Sequence, residues 1–567
     1  MQANPAAALD GKVRLAGSIS LQPKTTMLTL PLEPTDDRAK PLFKDAASCT
    51  QWLGQLQLTN LQLAHSLLFT QINELNRYPM RGLERLNTLE LLRETVGYVQ
   101  DDFAKKLTAQ PLPLNESELM VFMSIVHLWQ AMVLGYQRCL QAYMSGDKQL
   151  AKHGALLCQR CLLYNGLEIF EYLRTGYEFN DKLWHQLHEL YAFAEEQNFQ
   201  TDEAGDLLNP KYPRSSCRSI YVKTLLACHA RPAELTRTQL HLLDSWLTQW
   251  SSTITVERSY TVSKGDAQPL ATDLASTRGL QPVRQITHNG TMRYLAMVPL
   301  SKLLRVKTIL LQQGQTPQQA NLCGRCSSSD CIELLTLLHQ CWCEDNSTRF
   351  GERRPVAQHA QLCYKLEGIF AHLTGKPFKQ PGRDNALSSA ARKQIEAFGR
   401  VLEGVQSKEL LEMGYPLETW QFENESILGA RLTREDAIGG RLSYNQLVAL
   451  RPSDAETFIL GSTAWTNVTR AGQLQIGVRY LPGSAEAVSI RATGVNKTVS
   501  EKYVPAFLLP AVVALSVPAS LIIPRNWFQP DRVVEILHQN GEKKNVKMGF
   551  SVERGIDYER ISFALAY

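Results

Sequence analysis

The 567-residue chain has no excess of charge of either sign: 60 Lys and Arg stand against 55 Asp and Glu, interspersed, for a net charge of +5. No basic stripe dense enough to track a phosphate backbone stands out, which excludes nucleic acid as the expected partner. Catalytic signatures are missing too. There is no phosphate-cradling Gly-x-x-x-x-Gly-Lys-Ser/Thr, no Gly-x-Ser-x-Gly and no His-Glu-x-x-His. Gly439-Gly440 lacks the strand-to-helix setting of a nucleotide loop. The twelve histidines are dispersed. His65, His153, His185 and His188 fall in helical runs; His185 and His188 share a face but have no third ligand nearby. An enzyme is not expected, nor a metal or cofactor.

Targeting signals are equally sparse. Met1-Gln2-Ala3-Asn4-Pro5 is not a basic region followed by an apolar one, so no secretion signal is read there and a cytoplasmic location is expected. Val504–Pro524 carries no charge over 21 residues, but Pro505, Pro510, Pro518 and Pro524 divide it. Each proline costs about 3 kcal/mol inside a helix, so the stretch reads as buried β-structure and no membrane insertion is expected. The twelve cysteines form no disulfide framework. Cys158 and Cys161 fall on one helical face as core residues. Cys323, Cys326, Cys331, Cys341 and Cys343 have spacings unsuited to zinc; Cys323, Cys326 and Cys331 are expected to be reduced and metal-free.

What is present is a change of periodicity along the chain. Residues 1–44 are Pro-rich and polar, an extended lead-in. Residues 45–248 carry apolar positions three to four apart (Trp52, Leu53, Leu56; then Leu119–Tyr143, Gln149–Leu173 and Leu183–Glu196), broken by Gln110-Pro111-Leu112-Pro113. An antiparallel bundle or a set of helix pairs fits; no fixed repeat is seen. Residues 249–345 mix β-like runs at Thr253–Val256 and Tyr294–Val298 with helical runs at Ser301–Gln313 and Cys331–Trp342, a small α/β module. Residues 346–416 hold an arginine-rich segment, helix-like residues from Leu362 to Leu373, a Pro/Gly/Ser linker and a helix over Ser388–Met413. From 417 to 567 the period is two: Leu474, Ile476, Val478 and Tyr480 alternate with Gln475, Gly477 and Arg479, and Gln539-Asn540-Gly541-Glu542 separates two further strands. Short strands at this spacing predict an antiparallel barrel. The expected fold class is multidomain α+β: a large N-terminal helical region, a small mixed module and a C-terminal β-barrel.

At the head of that barrel, Trp420–Leu432 reads as strand, tight polar turn and strand, with Asn424-x-Ser426-x-x-Gly429 at the corner. Asn and Ser can bond the local backbone, and Gly admits a close neighbour. Asn-x-Ser-x-x-Gly followed by barrel-forming strands resembles PilZ domains, small β-barrels that bind cyclic di-GMP; the resemblance covers about residues 420–567. It implies a second element, Arg-x-x-x-Arg, upstream of the first strand. Arg349-Phe350-Gly351-Glu352-Arg353 fits, with Arg354 adjacent; the same spacing recurs at Arg77/Arg81/Arg85 and Arg214/Arg218. A guanidinium can fork to guanine O6 and N7, pair with phosphate or stack on a ring. By resemblance, Arg349, Arg353, Arg354, Asn424, Ser426 and Gly429 would form the ligand site.

The expectation is a cytoplasmic bacterial cyclic di-GMP receptor that passes binding to a protein partner through its helical region. Arg349 precedes Asn424 by 75 positions. That separation suits a rival reading, a scaffold or adaptor that keeps the barrel without binding nucleotide. A chaperone-like or secretion-associated role would rest on the helical region alone.

Overall fold

The computed structural model describes residues 28–30, 32–107, 110–206, 214–322, 326–344, 354–355, 358–381, 410–435, 439–493 and 502–566. The chain divides into two compact units. One comprises residues 1–108 and 115–348, the other residues 109–114 and 349–567.

In the N-terminal unit the expected helices are present: α1 (Ala46–Gln55), α2 (Leu61–Arg77), α3 (Gly82–Lys106), α4 (Glu116–Met144), α5 (Gly154–Thr175), α6 (Asp181–Glu196), α7 (Cys217–His229) and α8 (Arg237–Trp250). Their starts follow from capping chemistry. The side chains of Asp45, Asn60, Asn115, Asn180, Ser216 and Thr236 each accept a bond from a first-turn N–H. α5 stops at Gly176, which takes the left-handed conformation with φ 73°. α4 is long and apolar enough to cross a membrane, but here it packs against α2, α3 and α5 and buries Phe122, Ile125, Trp129, Met132 and Tyr136. Beside it lies a buried polar knot. Arg160 pairs with Glu90 at 2.8 Å, Tyr136 donates to the same carboxylate at 2.6 Å, and Arg93 bridges Glu90 and Asp206 at 3.2 and 2.8 Å. Arg160 also donates to the Gly205 carbonyl at 2.8 Å. This holds a short ribbon, β1 (Glu203–Gly205) with β2 (Arg214–Ser216), against the bundle.

The mixed module appears as a four-stranded antiparallel sheet and two helices. Its strands are β3 (Val256–Glu257), β4 (Leu270–Asp273), β5 (Gln281–Pro282) and β6 (Met292–Leu295), in the order β3-β6-β4-β5; α9 (Val298–Gln312) and α10 (Ser328–Cys343) follow. It packs as part of the helical unit. Arg293 pairs with Glu195 of α6 at 2.7 Å, and Trp342 donates its ring N–H to the Leu226 carbonyl of α7 at 3.2 Å. One expectation is corrected here: Cys326 and Cys331 are not free thiols but joined to each other. Ser327 caps α10, so the chain turns into the helix between them and their Cα atoms come within 6.5 Å. Cys323 lies outside the described residues. Cys158 and Cys161 are buried core residues of α5.

The C-terminal unit consists of β7 (Arg354–Pro355), β8 (His359–Tyr364), α11 (Leu366–Thr374), β9 (Glu418–Ser426), β10 (Gly429–Arg434), β11 (Leu447–Pro452), β12 (Ile459–Val468), β13 (Leu474–Tyr480), β14 (Glu486–Ala492), β15 (Val504–Leu509), β16 (Ser520–Pro524), β17 (Val533–Leu537), β18 (Lys543–Arg554) and β19 (Tyr558–Leu565). The expected barrel is there, accompanied by a second ring. β14-β15-β16-β19-β18-β17 close on themselves, and β9-β10-β13-β12-β11-β8 close through pairing of β8 with β9, with β7 alongside β9. All these pairings are antiparallel. Val504–Pro524 supplies β15, a connection holding a 3-10 turn at Val513–Leu515, and β16. The Asn540–Gly541 turn joins β17 to β18, with Gly541 at φ 88°.

The helix-like reading of Leu362–Leu373 is corrected at its start. Residues through Tyr364 form β8, Lys365 breaks the chain at φ 64°, and α11 runs Leu366–Thr374. Most of the helix expected over Ser388–Met413 lies outside the described residues. Val488, Ile490, Leu521, Ile523, Val534, Ile536 and Ile561 fill the β14–β19 ring, each side chain contributing about 1.5–3 kcal/mol on burial. A second cluster, including Ile369, Phe370, Leu447, Leu460, Phe507 and Tyr558, cements the two rings around α11.

Candidate ligand face of the first ring

The Asn-x-Ser-x-x-Gly corner is a two-residue hairpin loop between β9 and β10. Ser426 donates its hydroxyl to the Gly429 carbonyl at 3.2 Å, closing the turn. Ile427 and Leu428 form the tip and are exposed at 86% and 53%. Gly429 is required for a steric reason: a Cβ there would stand 2.0 Å from the Val478 carbonyl oxygen on β13. The glycine therefore serves the β10–β13 approach.

On its other side β9 pairs with β7. Arg354 is opposite Glu425 and Pro355 opposite Asn424, and β8 continues along β9 with Ala360 opposite Trp420. The stretch leading from the arginines thus runs antiparallel to the motif strand, and residues 365–417 are an excursion between two neighbouring strands. Arg349 and Arg353 lie outside the described residues, and Arg354 is placed by its backbone.

Residues paired directly across antiparallel strands share a face. Asn424 is opposite Arg431, Arg431 is opposite Gly477, and Gly477 is opposite Trp465. The row therefore reads Asn424, Arg431, Gly477, Trp465 on one outer surface. Gly477 leaves room for the indole, since a Cβ there would stand 2.1 Å from Trp465 Nε1. The Arg431 guanidinium lies 5.9 Å from the centre of that ring, within cation–π range. It is held flat by neighbours: Nε is 2.7 Å from Glu423 Oε2, and Nη2 donates to Gln475 Oε1 at 2.9 Å. Gln475 Nε2 donates to Glu423 Oε1 at 3.0 Å, and the Thr433 hydroxyl donates to the same oxygen. Glu423 reaches this face because the β9–β10 register shifts between Arg431 and Leu432. On the opposite face, in line with Ala430 and Val478, Tyr480 donates to Glu425 at 2.6 Å; burial, and then this carboxylate, push the phenol pKa up.

The base of the same hairpin is tied by a buried carboxylate. Glu418 pairs with Arg434 at 2.6 Å, accepts from Tyr364 Oη at 3.0 Å and from Trp420 Nε1 at 3.1 Å, and accepts the Gly440 N–H. Arg434 in turn donates to the Gly440 carbonyl at 2.9 Å. Gly440 has no room for a side chain, because a Cβ would stand 1.9 Å from Tyr364 Oη.

Sequence reasoning singled out Asn424, Ser426 and Gly429 and the arginine stretch as candidates; it did not point to Glu423, Arg431, Gln475 or Trp465, which the structure gathers beside Asn424. Those residues meet only through strand register and a bulge. The visible signal was a glycine, Gly477, at an outward position inside β13, the mark of a close approach.

A helical unit joined to a C-terminal unit of closed antiparallel rings defines a class of proteins with a helical N-terminal domain and a C-terminal barrel. Two family models of that class match: the cyclic-di-GMP receptor FimW N-terminal domain over residues 47–260, and the FimW C-terminal beta-barrel domain over residues 488–566. The chain is similar, at 24% identity over 554 residues and 90% of both chains, to the protein of Pseudomonas aeruginosa named cyclic-di-GMP receptor FimW. The FimW barrel match falls on the β14–β19 ring; the ring carrying Asn424 lies between the two matched spans.

Proposed function

We propose that this protein is a bacterial receptor for cyclic di-GMP that acts in the cytoplasm without catalysis, and that the outer face of the PilZ-like first ring is its binding surface. The supporting observation is the pairing of β7 with β9, in which Arg354 lies opposite Glu425 and Pro355 opposite Asn424 despite the long sequence separation. In this reading Arg349, Arg353 and Arg354 clasp guanine edges and phosphates. Asn424 and Ser426 bond the sugar–phosphate ring, and Arg431 with Trp465 offers a flat surface for a base. The similarity to a protein named as a cyclic-di-GMP receptor supports the ligand. Binding would bias a docking or ordering equilibrium that the helical unit passes to a protein partner.

Calorimetry on the full chain tests this. Arg353→Ala is expected to lose about 1.5–3 kcal/mol, roughly tenfold to a hundredfold in affinity. Arg81→Ala, the same spacing within the helices, should bind as wild type. No heat with wild-type protein at high micromolar nucleotide rejects the receptor reading. A non-binding scaffold is the second reading, and one observation favours it. Glu423, next to Asn424, already engages the Arg431 guanidinium, so the face presents a carboxylate to an anionic ligand. The same titration separates the two.

A further inference from the structure

Arg431 is the cation of the outer row formed by Asn424, Arg431, Gly477 and Trp465 on the first ring, and a carboxylate holds it. Its Nε stands 2.7 Å from Glu423 Oε2. Gln475 ties the two together, accepting from Arg431 Nη2 at 2.9 Å and donating to Glu423 Oε1 at 3.0 Å. The buried Thr433 hydroxyl donates to the same Glu423 oxygen. Glu423 therefore has two neutral donors besides the guanidinium. A carboxylate left without partners carries the full cost of its desolvation; here Thr433 and Gln475 go on bonding it when Arg431 turns away. The pair is also within reach of a ligand, with the Glu423 and Arg431 side chains 28% and 36% exposed. Beside it the Trp465 indole keeps its middle clear. The guanidinium carbon is 5.9 Å from the ring centre, whereas stacked atoms lie about 3.5–4 Å apart, so Arg431 stands at the rim.

We propose that Arg431 is a phosphate-binding residue of this face and that Glu423 is the anion it gives up when nucleotide binds. This rests on the cyclic di-GMP reading above. In the free protein Glu423 neutralises Arg431. On binding, a base lies on Trp465, a phosphate oxygen of the nucleotide takes the guanidinium, and Glu423 stays behind on Thr433 and Gln475. One ion pair is exchanged for another, so the exchange itself adds little to affinity and the stacked base supplies the net gain. Glu423 thus sets the nucleotide concentration at which the face fills.

The test is calorimetry on the full chain with cyclic di-GMP at low and high salt. Glu423→Gln keeps the length of the side chain and an acceptor for Thr433 and Gln475 but removes the competing charge. It is expected to bind about fivefold tighter than wild type, the worth of one partly exposed ion pair. Its affinity should also fall more steeply with salt: in the wild type an existing pair is replaced, whereas in the variant a new one forms. Glu542→Gln makes the same change of charge on the second ring, where Glu542 pairs with Lys544 at 3.0 Å; it should bind as wild type. Thr433→Val gives the opposite sign and keeps the idea testable should Glu423→Gln fold poorly. It removes one of the two donors that keep Glu423 satisfied after the exchange, so binding should weaken. The exchange is overturned, and the receptor left intact, by any of three results: wild type binding while Glu423→Gln binds no more tightly, a gain matched by Glu542→Gln, or Thr433→Val binding as tightly as wild type. Absence of binding by wild type overturns both.

Discussion

Gly429 and Trp465 sit within one small face but stand in opposite relation to it. The glycine is there because β13 leaves no space for a Cβ; the indole is half-exposed on the surface that a base would cover. Gly429→Ala is therefore expected to destabilise the ring by about 1–3 kcal/mol, the usual cost of forced overpacking, seen as a lower denaturation midpoint. The molecules that remain folded should bind nearly normally. Trp465→Ala should do the reverse, with a small stability change and a loss of about 1–3 kcal/mol in cyclic di-GMP binding, checked by titration. If Trp465→Ala binds as wild type, the flat Arg431–Trp465 surface is not used. In the bundle, Glu168 is buried with Gln130 donating to it at 2.7 Å, and burial pushes its carboxyl pKa up to about 7 from 4.5. The sign follows from the protonated form being the one the fold prefers. The stabilising contribution is complete below about pH 4.5 and is lost as pH rises through about 7. Glu168→Gln should flatten the dependence of melting temperature on pH in that window and raise stability at pH 8, by an amount on the order of 3 kcal/mol at most. An unchanged pH profile would reject the assignment.

Helices declare themselves locally, and their ends can be tested locally. Asn115 accepts from the Glu118 N–H at 2.9 Å, and the Glu118 carboxylate accepts from the Asn115 N–H at 2.9 Å, a reciprocal cap that starts α4. Asn115→Ala is expected to cost about 1 kcal/mol and to speed amide exchange in the first turn of α4; equal exchange would mean that tertiary packing alone sets this end. The same locality explains what could be read in advance. The three-to-four spacing of α2 to α8, the break at Gln110–Pro113, the β9–β10 hairpin and the alternation of β13 depend on neighbours in sequence, and each was legible. β8 was not: His359–Tyr364 is short, and its apolar end runs straight into the apolar α11, so periodicity cannot find the boundary that Lys365 makes with a positive φ. Nor could composition show that the β-rich third divides into two rings, because the division is a matter of which strand pairs with which. The Arg431–Trp465 row was hidden for the same reason, its members being 34 positions apart and joined only through Gly477.

Across the whole molecule, the chain passes from one unit to the other three times, at residues 108–109, 114–115 and 348–349. The ring that carries Asn424 is thus assembled from both sides of a long excursion, with β8 completing it between β9 and β11. This matters to anyone cutting the gene. A fragment beginning at residue 417 would contain the entire motif and every later strand, yet lack the one strand that seals the ring. Two edges would then lie open, along Glu418–Gln421 and Val448–Pro452, each a row of unpaired backbone groups ready to recruit another chain. Such a fragment is expected to elute as aggregate in size-exclusion chromatography, whereas one beginning at residue 354 should run as a discrete species. Failure of the shorter piece to bind nucleotide would then reflect a broken cylinder and say nothing about the ligand of the intact one.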